Sequence, residues 1–152
     1  MNPNFLNSQS YQDPKDIPEQ YLEIVKELRK QVQNIRLTYI KAGNRNRINL
    51  PGNAAIAKLE LATGKVYTQE ATSKKYPLNI PGIEGGPKLF FESRLDRYGR
   101  INNERHAEYK IFNGLAEDLE KDGVSRDVEG ILYLYTERNT CSGCFILVII
   151  IF

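Results

Sequence analysis

The sequence predicts an α/β fold in which helices pack on a small sheet. Three observations predict it: an apolar stripe at helical spacing near the start, two stretches of strict alternation after it, and a second helical stretch followed by an unbroken aliphatic and aromatic run. The 152 residues suffice for one domain with a single core. A hydrophobic content of 41% and a charged content of 26% are ordinary for a globular chain.

Residues 1–16 are rich in Asn, Ser, Gln and Pro and read as a flexible lead-in to a single domain over 17–152. Asp16, Pro18 and Glu19 form a helix-start signal. Behind it, Tyr21, Val25, Leu28, Val32 and Ile35 recur at spacings of four and three, which predicts one core-facing stripe on a helix of about five turns. Residues 41–47 form a basic loop containing Gly43, Asn44 and Asn46. From Asn53 to Leu61, Ala55, Ala57, Leu59 and Leu61 fall on one face, with Lys58 and Glu60 on the other. Ala62-Thr63-Gly64 turns the chain and Lys65 to Glu70 alternates again, so a β-hairpin is predicted. The small alanines predict that a helix packs closely on their face.

Residues 72–105 carry Pro77, Pro81-Gly82, Gly85-Gly86-Pro87 and Gly99. They read as a long functional loop with a short strand around Leu89-Phe90-Phe91. The glycines are not a phosphate loop, because no Lys-Ser/Thr follows them. From His106 to Lys121 the pattern is helical, with Phe112, Leu115, Ala116 and Leu119 on one side and Asp122-Gly123 as the stop. Ile131 to Tyr135 reads as a buried strand. Phe145 to Phe152 has strand composition and falls far short of the roughly 20 residues a bilayer span needs.

Lys and Arg number 21 against 19 Asp and Glu, but they are unevenly spread. Residues 36–105 carry a net +7, residues 1–35 a net −1 and residues 106–152 a net −4. A basic middle points to a polyanionic partner met through the central loops, with a solvated surface as the alternative. The polar start MNPNFLNSQSYQDPKD lacks the basic-then-apolar order of a secretory leader, so export would rest on another device.

The chemistry concentrates in very few residues. There is one histidine, His106, and there are two cysteines, Cys141 and Cys144. Cysteines so close together do not staple a fold and read as a metal or redox pair. His106-Ala107-Glu108 opens the second helix, and the Cys pair directly follows the buried strand. One layer of an α/β fold can bring a helix start and a strand end face to face. Zinc accepts imidazole and thiolate, and three protein ligands leave a fourth position for a water whose pKa falls to about 7. Helix beginnings are electropositive and favour thiolates. Glu108 sits beside a ligand without being needed as one, which suits a general acid/base. This is the H-x-E…P-C-x-x-C signature of zinc nucleobase deaminases, with Thr140 in place of the Pro. A C-x-x-C alone also fits a redox pair, which leaves His-Ala-Glu without a role. It also fits half of a structural zinc site, for which Glu108 would be the nearest fourth ligand.

The stretches His106-Ala107-Glu108-Tyr109-Lys110-Ile111-Phe112 and Leu134-Tyr135-Thr136-Glu137-Arg138-Asn139-Thr140-Cys141-Ser142-Gly143-Cys144 resemble bacterial polymorphic-toxin deaminases of the cytidine-deaminase-like superfamily. The likeness spans about residues 50–148, and the hairpin fits the first two strands of that fold. It implies a three-layer α/β/α arrangement with a small mixed sheet. It also implies a C-terminally shortened variant, because the superfamily continues past the second Cys with a helix and further strands. The implied activity is hydrolytic deamination of cytosine in nucleic acid, DNA favoured, with Zn²⁺ on His106, Cys141 and Cys144 and with Glu108 catalytic. The implied biology is a secreted effector acting in the target-cell cytoplasm, paired with an immunity protein and with no membrane partner. The resemblance further implies that the Ala107 backbone holds the base, that the Asn139 carbonyl accepts from the exocyclic amine, and that Asn53 reaches the sugar or base. The cytosine would be single-stranded or flipped out. Arg45, Arg47, Lys74, Lys75, Arg94, Arg97, Arg100 and Arg105 would track phosphates, and Tyr76, Phe90, Phe91 and Tyr98 would stack bases or anchor loops. A free-nucleoside deaminase needs no such basic mouth. An inactive zinc-binding interaction module is the remaining alternative.

Overall fold

Alternation along the strands decides which helix covers which face of the sheet. The computed structural model describes residues 7–35, 37, 53–72, 107–137 and 145–152. Its elements are β1 (Asn7–Tyr11), α1 (Leu22–Ile35), β2 (Ala54–Leu61), β3 (Val66–Thr72), α2 (Ala107–Lys121), β4 (Gly130–Glu137) and β5 (Phe145–Ile151). The strands lie side by side in the order β1-β5-β4-β2-β3. Residues of one parity (Ala54, Ile56, Tyr133, Tyr135, Leu147, Ile149) bury against Leu28, Val32 and Ile35 of α1. Residues of the other parity (Ala55, Ala57, Leu59, Leu61, Leu132, Leu134) bury against Ala107, Ile111 and Leu115 of α2. One helix therefore lies on each face. The alanines of β2 meet α2, as their size predicts.

The sheet corrects one expectation. Every pairing among the described residues is antiparallel, so the sheet is not mixed. For β4 and β5 the reason lies in chain length. Glu137 pairs with Phe145, which leaves only residues 138–144 between β4 and β5. A parallel crossover needs about a dozen residues or more, whereas a short link closes an antiparallel pair. Phe145–Ile151 is a strand, where the resemblance implies a helix.

Other elements depart from expectation in smaller ways. The lead-in contributes a strand, with Asn7–Tyr11 pairing with Leu147–Ile151. β5 is thereby covered on both sides, and its apolar run presents no open edge. The first helix starts later than the Asp16–Glu19 signal. A 3₁₀ turn at Pro14–Asp16 is capped by Asp13, a second turn spans Glu19–Tyr21, and α1 begins at Leu22. Pro18 holds the preceding Ile17 in extended backbone and so breaks the run. On α2, Ala107 and Ile111 are fully buried and Leu115 nearly so. Phe112 and Leu119 pack at the margin, and Ala116 is only partly buried.

Two turns behave as their residues demand. Gly64, at φ +92°, closes the β2–β3 hairpin with its N–H on Leu61 O. Gly123, at φ +65°, ends α2 in a Schellman motif. Its N–H donates to Glu120 O, and that of Val124 donates to Leu119 O. The Asp122-Gly123 stop is therefore where the sequence places it. Among the described residues, no helix is long and apolar enough to cross a membrane.

Candidate active site

At one end of the sheet β2 begins, β3 and β4 end, β5 begins and α2 starts. Three polar side chains meet there. Glu108 lies in the first turn of α2 and is partly buried. Its acidic side chain suits the electropositive end of a helix. Thr136 lies near the end of β4 and is 5% exposed. Asn53 immediately precedes β2. The Thr136 hydroxyl donates to Glu108 Oε1 at 2.6 Å. The Asn53 carboxamide Nδ2 donates to the same oxygen at 2.8 Å and to Thr136 Oγ1 at 2.5 Å. An ionised carboxylate only accepts, so this arrangement satisfies the donors and the acceptor together.

Sequence neighbours tie this cluster to the zinc signature. Residue 106 directly precedes α2, and residues 138–144 join Glu137 to its cross-strand neighbour Phe145. The Thr136–Glu108 bond therefore joins the segment that follows His106 to the strand that leads into the Cys pair. His106, Cys141, Cys144 and Asn139 themselves lie outside the described residues. So do the basic loop 41–47, the Leu89-Phe90-Phe91 strand, and every proposed phosphate-tracking and base-stacking residue. Among the described residues, no three His, Cys, Asp or Glu side chains form a metal-binding group.

Ala107 is buried at 0% exposure against β2 and β4 neighbours. Its role as a base-holding backbone group stays an expectation. Asn53 stands on Glu108 and Thr136, which puts it beside the carboxylate. Thr136 was not singled out as a site residue by the sequence, although a signal existed. It shares parity with Leu132 and Leu134, so it is a polar residue in a row that buries against α2.

A second feature that sequence reasoning missed flanks the site. Lys110, Gly114 and Asp118 repeat every four residues along α2, Asp122 continues the stripe just past its end, and the stripe meets β3 and Lys65 beside it. Lys110, 6% exposed, donates from Nζ to Thr72 O at 2.9 Å. Gln69 donates to Asp118 Oδ2 at 2.6 Å and lies over Gly114, where an added Cβ would meet its side chain at 2.8 Å. Tyr67 donates to Asp122 Oδ2 at 2.7 Å, and Lys65 Nζ meets the same oxygen at 2.6 Å. Burying these groups without partners would be costly, and the seam supplies partners along the helix.

No family model matches the chain, and no curated protein or solved structure is significantly similar to it.

Proposed function

We propose that this chain is a zinc-dependent deaminase of cytosine in nucleic acid, with DNA the favoured substrate, and that it serves as an interbacterial toxin domain of the cytidine-deaminase-like class. The observation that carries the reading is the 2.6 Å bond from Thr136 to Glu108. It supports the reading because the carboxylate that the signature assigns to proton transfer is held where the strand before the Cys pair ends.

The donor set fits zinc. One imidazole and two thiols, His106, Cys141 and Cys144, would hold it and leave one position open. Glu108 also fits its part, since its Oε1 is engaged by two hydrogen-bond donors and is thereby committed to an orienting role. When bound, the metal would supply an activated water for attack on the ring carbon that bears the amine. The protein's own work is then proton traffic. Protonating Oε1 would set a third donor against the Thr136 and Asn53 donors, so Oε2 is the atom that takes and returns the proton. The basic stretch 36–105, with a net +7, supports a polyanionic substrate over a free nucleoside. An immunity protein in the producing cell belongs to the same proposal.

The test is uracil formation in single- and double-stranded oligonucleotides by zinc-loaded protein. The expected result is uracil with the wild type, none with Glu108→Ala at unchanged zinc content, and loss of both zinc and turnover with Cys141→Ala. Turnover of free cytidine alone would move the assignment to a nucleoside enzyme. Identical biology for wild type and Glu108→Ala would favour an inactive interaction module.

A further inference from the structure

We infer that Thr136, together with Asn53, is a positioning residue that fixes the orientation of the Glu108 carboxylate. The inference rests on the deaminase reading above and adds to it the residues that aim the proton carrier. A glutamate at the start of a helix has three side-chain torsions and no intrinsic reason to point one way. Here one oxygen is pinned by two donors from two different strand ends. Thr136 is the stiffer of the two. Its β-branched side chain has little χ1 freedom in a strand. Its backbone is held on both sides, opposite Ala55 of β2 and Ile146 of β5. Asn53 braces the pair, its Nδ2 lying within hydrogen-bond distance of both Thr136 Oγ1 and Glu108 Oε1. The hydroxyl's single hydrogen is left for Oε1. Glu108 Oε1 is thus the shared acceptor in a closed triangle of three hydrogen-bonding groups. The two donors are neutral, so they set direction without adding a cation beside the proton carrier. This adds a role for Asn53 to the sugar or base contact that the resemblance implies.

A supporting residue that misplaces a catalytic group by about 1 Å can cost on the order of 100-fold in rate. Thr136→Val keeps shape and strand propensity but removes the hydroxyl, whereas Thr136→Ser keeps the hydroxyl. For the zinc-loaded enzyme, Thr136→Val should lower kcat roughly 10- to 100-fold with KM for the oligonucleotide little changed. Thr136→Ser should recover most of that loss, and Asn53→Ala should repeat it more weakly. A second readout needs neither metal nor substrate. In metal-free protein, Thr136→Val should lower the urea midpoint in the Glu108 background and lower it much less in the Glu108→Ala background. Equal midpoint shifts in both backgrounds overturn the inference whatever the activity, as does a loss carried by KM or shared equally by Ser and Val. If the wild type forms no uracil while the midpoints remain non-additive, the deaminase reading falls. The cluster is then only a structural clamp, which overturns the positioning role as well.

Discussion

The two ends of α2 carry the same device in different surroundings. At its start, Glu108 receives two donors, Thr136 and Asn53, in partly buried surroundings. Just past its end, Asp122 receives two donors, Lys65 and Tyr67, at the surface. The difference lies in the donors. Asp122 is paired with a cation, and the Lys65 hydrogen bond, with that of Tyr67, holds its carboxyl below its usual 3.8. Among the described residues, the donors on Glu108 are neutral, a hydroxyl and a carboxamide. A carboxylate tied to a lysine is a latch, whereas one tied to a hydroxyl and an amide stays available for chemistry.

Matched amide substitutions would break this comparison if it is mistaken. Glu108→Gln should lower uracil formation by about 10²- to 10⁴-fold, the range for a lost acid/base, and barely move the unfolding midpoint. Asp122→Asn should leave turnover intact and lower the thermal midpoint. Assays of both proteins side by side check this, and exchanged phenotypes would invert the assignment of the two ends. Between the ends lies Ile111, fully buried at 0% exposure on α2. Ile111→Ala should cost roughly 2–5 kcal/mol in chemical denaturation, because it leaves a cavity between helix and sheet.

Smaller effects follow from pH. The Asp122 hydrogen bond raises the Lys65 ammonium above 10.5 and the Tyr67 hydroxyl above 10.0, while Asp122 itself is lowered. A lowered carboxyl stabilises above its ordinary value and loses that contribution as pH falls through the folded value. The raised groups stabilise below their ordinary values and lose that contribution as pH rises. The gap in thermal midpoint between wild type and Asp122→Asn should therefore be flat from about pH 5 to pH 9 and close at both extremes. The smallest effect concerns Glu70, whose carboxyl burial pushes above 4.5. Its ionised form costs stability at neutral pH. Glu70→Gln should raise the midpoint there slightly, and the gain should vanish as pH drops below 4.5.

Much of this architecture could be read from residue patterns. The β2–β3 hairpin and its alanine face, the α1 stripe and the Asp122-Gly123 stop all follow from periodicity and turn chemistry acting locally. The strand nature of β5 was legible in Phe145–Ile151, yet its pairing was not. The seven residues from 138 to 144 already forbid a parallel crossover between β4 and β5. β1 was hidden because Asn7–Tyr11 is polar, and it is recruited by the edge of β5 rather than by its own propensity. At the site, Glu108 was visible because it stands beside the lone histidine. Thr136 was not, since its role comes from pairing across the sheet, and Lys110 and Asp118 escaped because their partners sit on β3.

The central claim is that a metal with three protein ligands and one open position stands beside the Glu108 carboxylate. X-ray absorption at the zinc edge of the loaded protein tests it most directly. The expected spectrum shows two sulfur scatterers at about 2.3 Å, one imidazole nitrogen at about 2.0–2.1 Å and one further light-atom ligand exchangeable with solvent. A closed shell with Glu108 as fourth ligand, or zinc bound without both sulfurs, would contradict it.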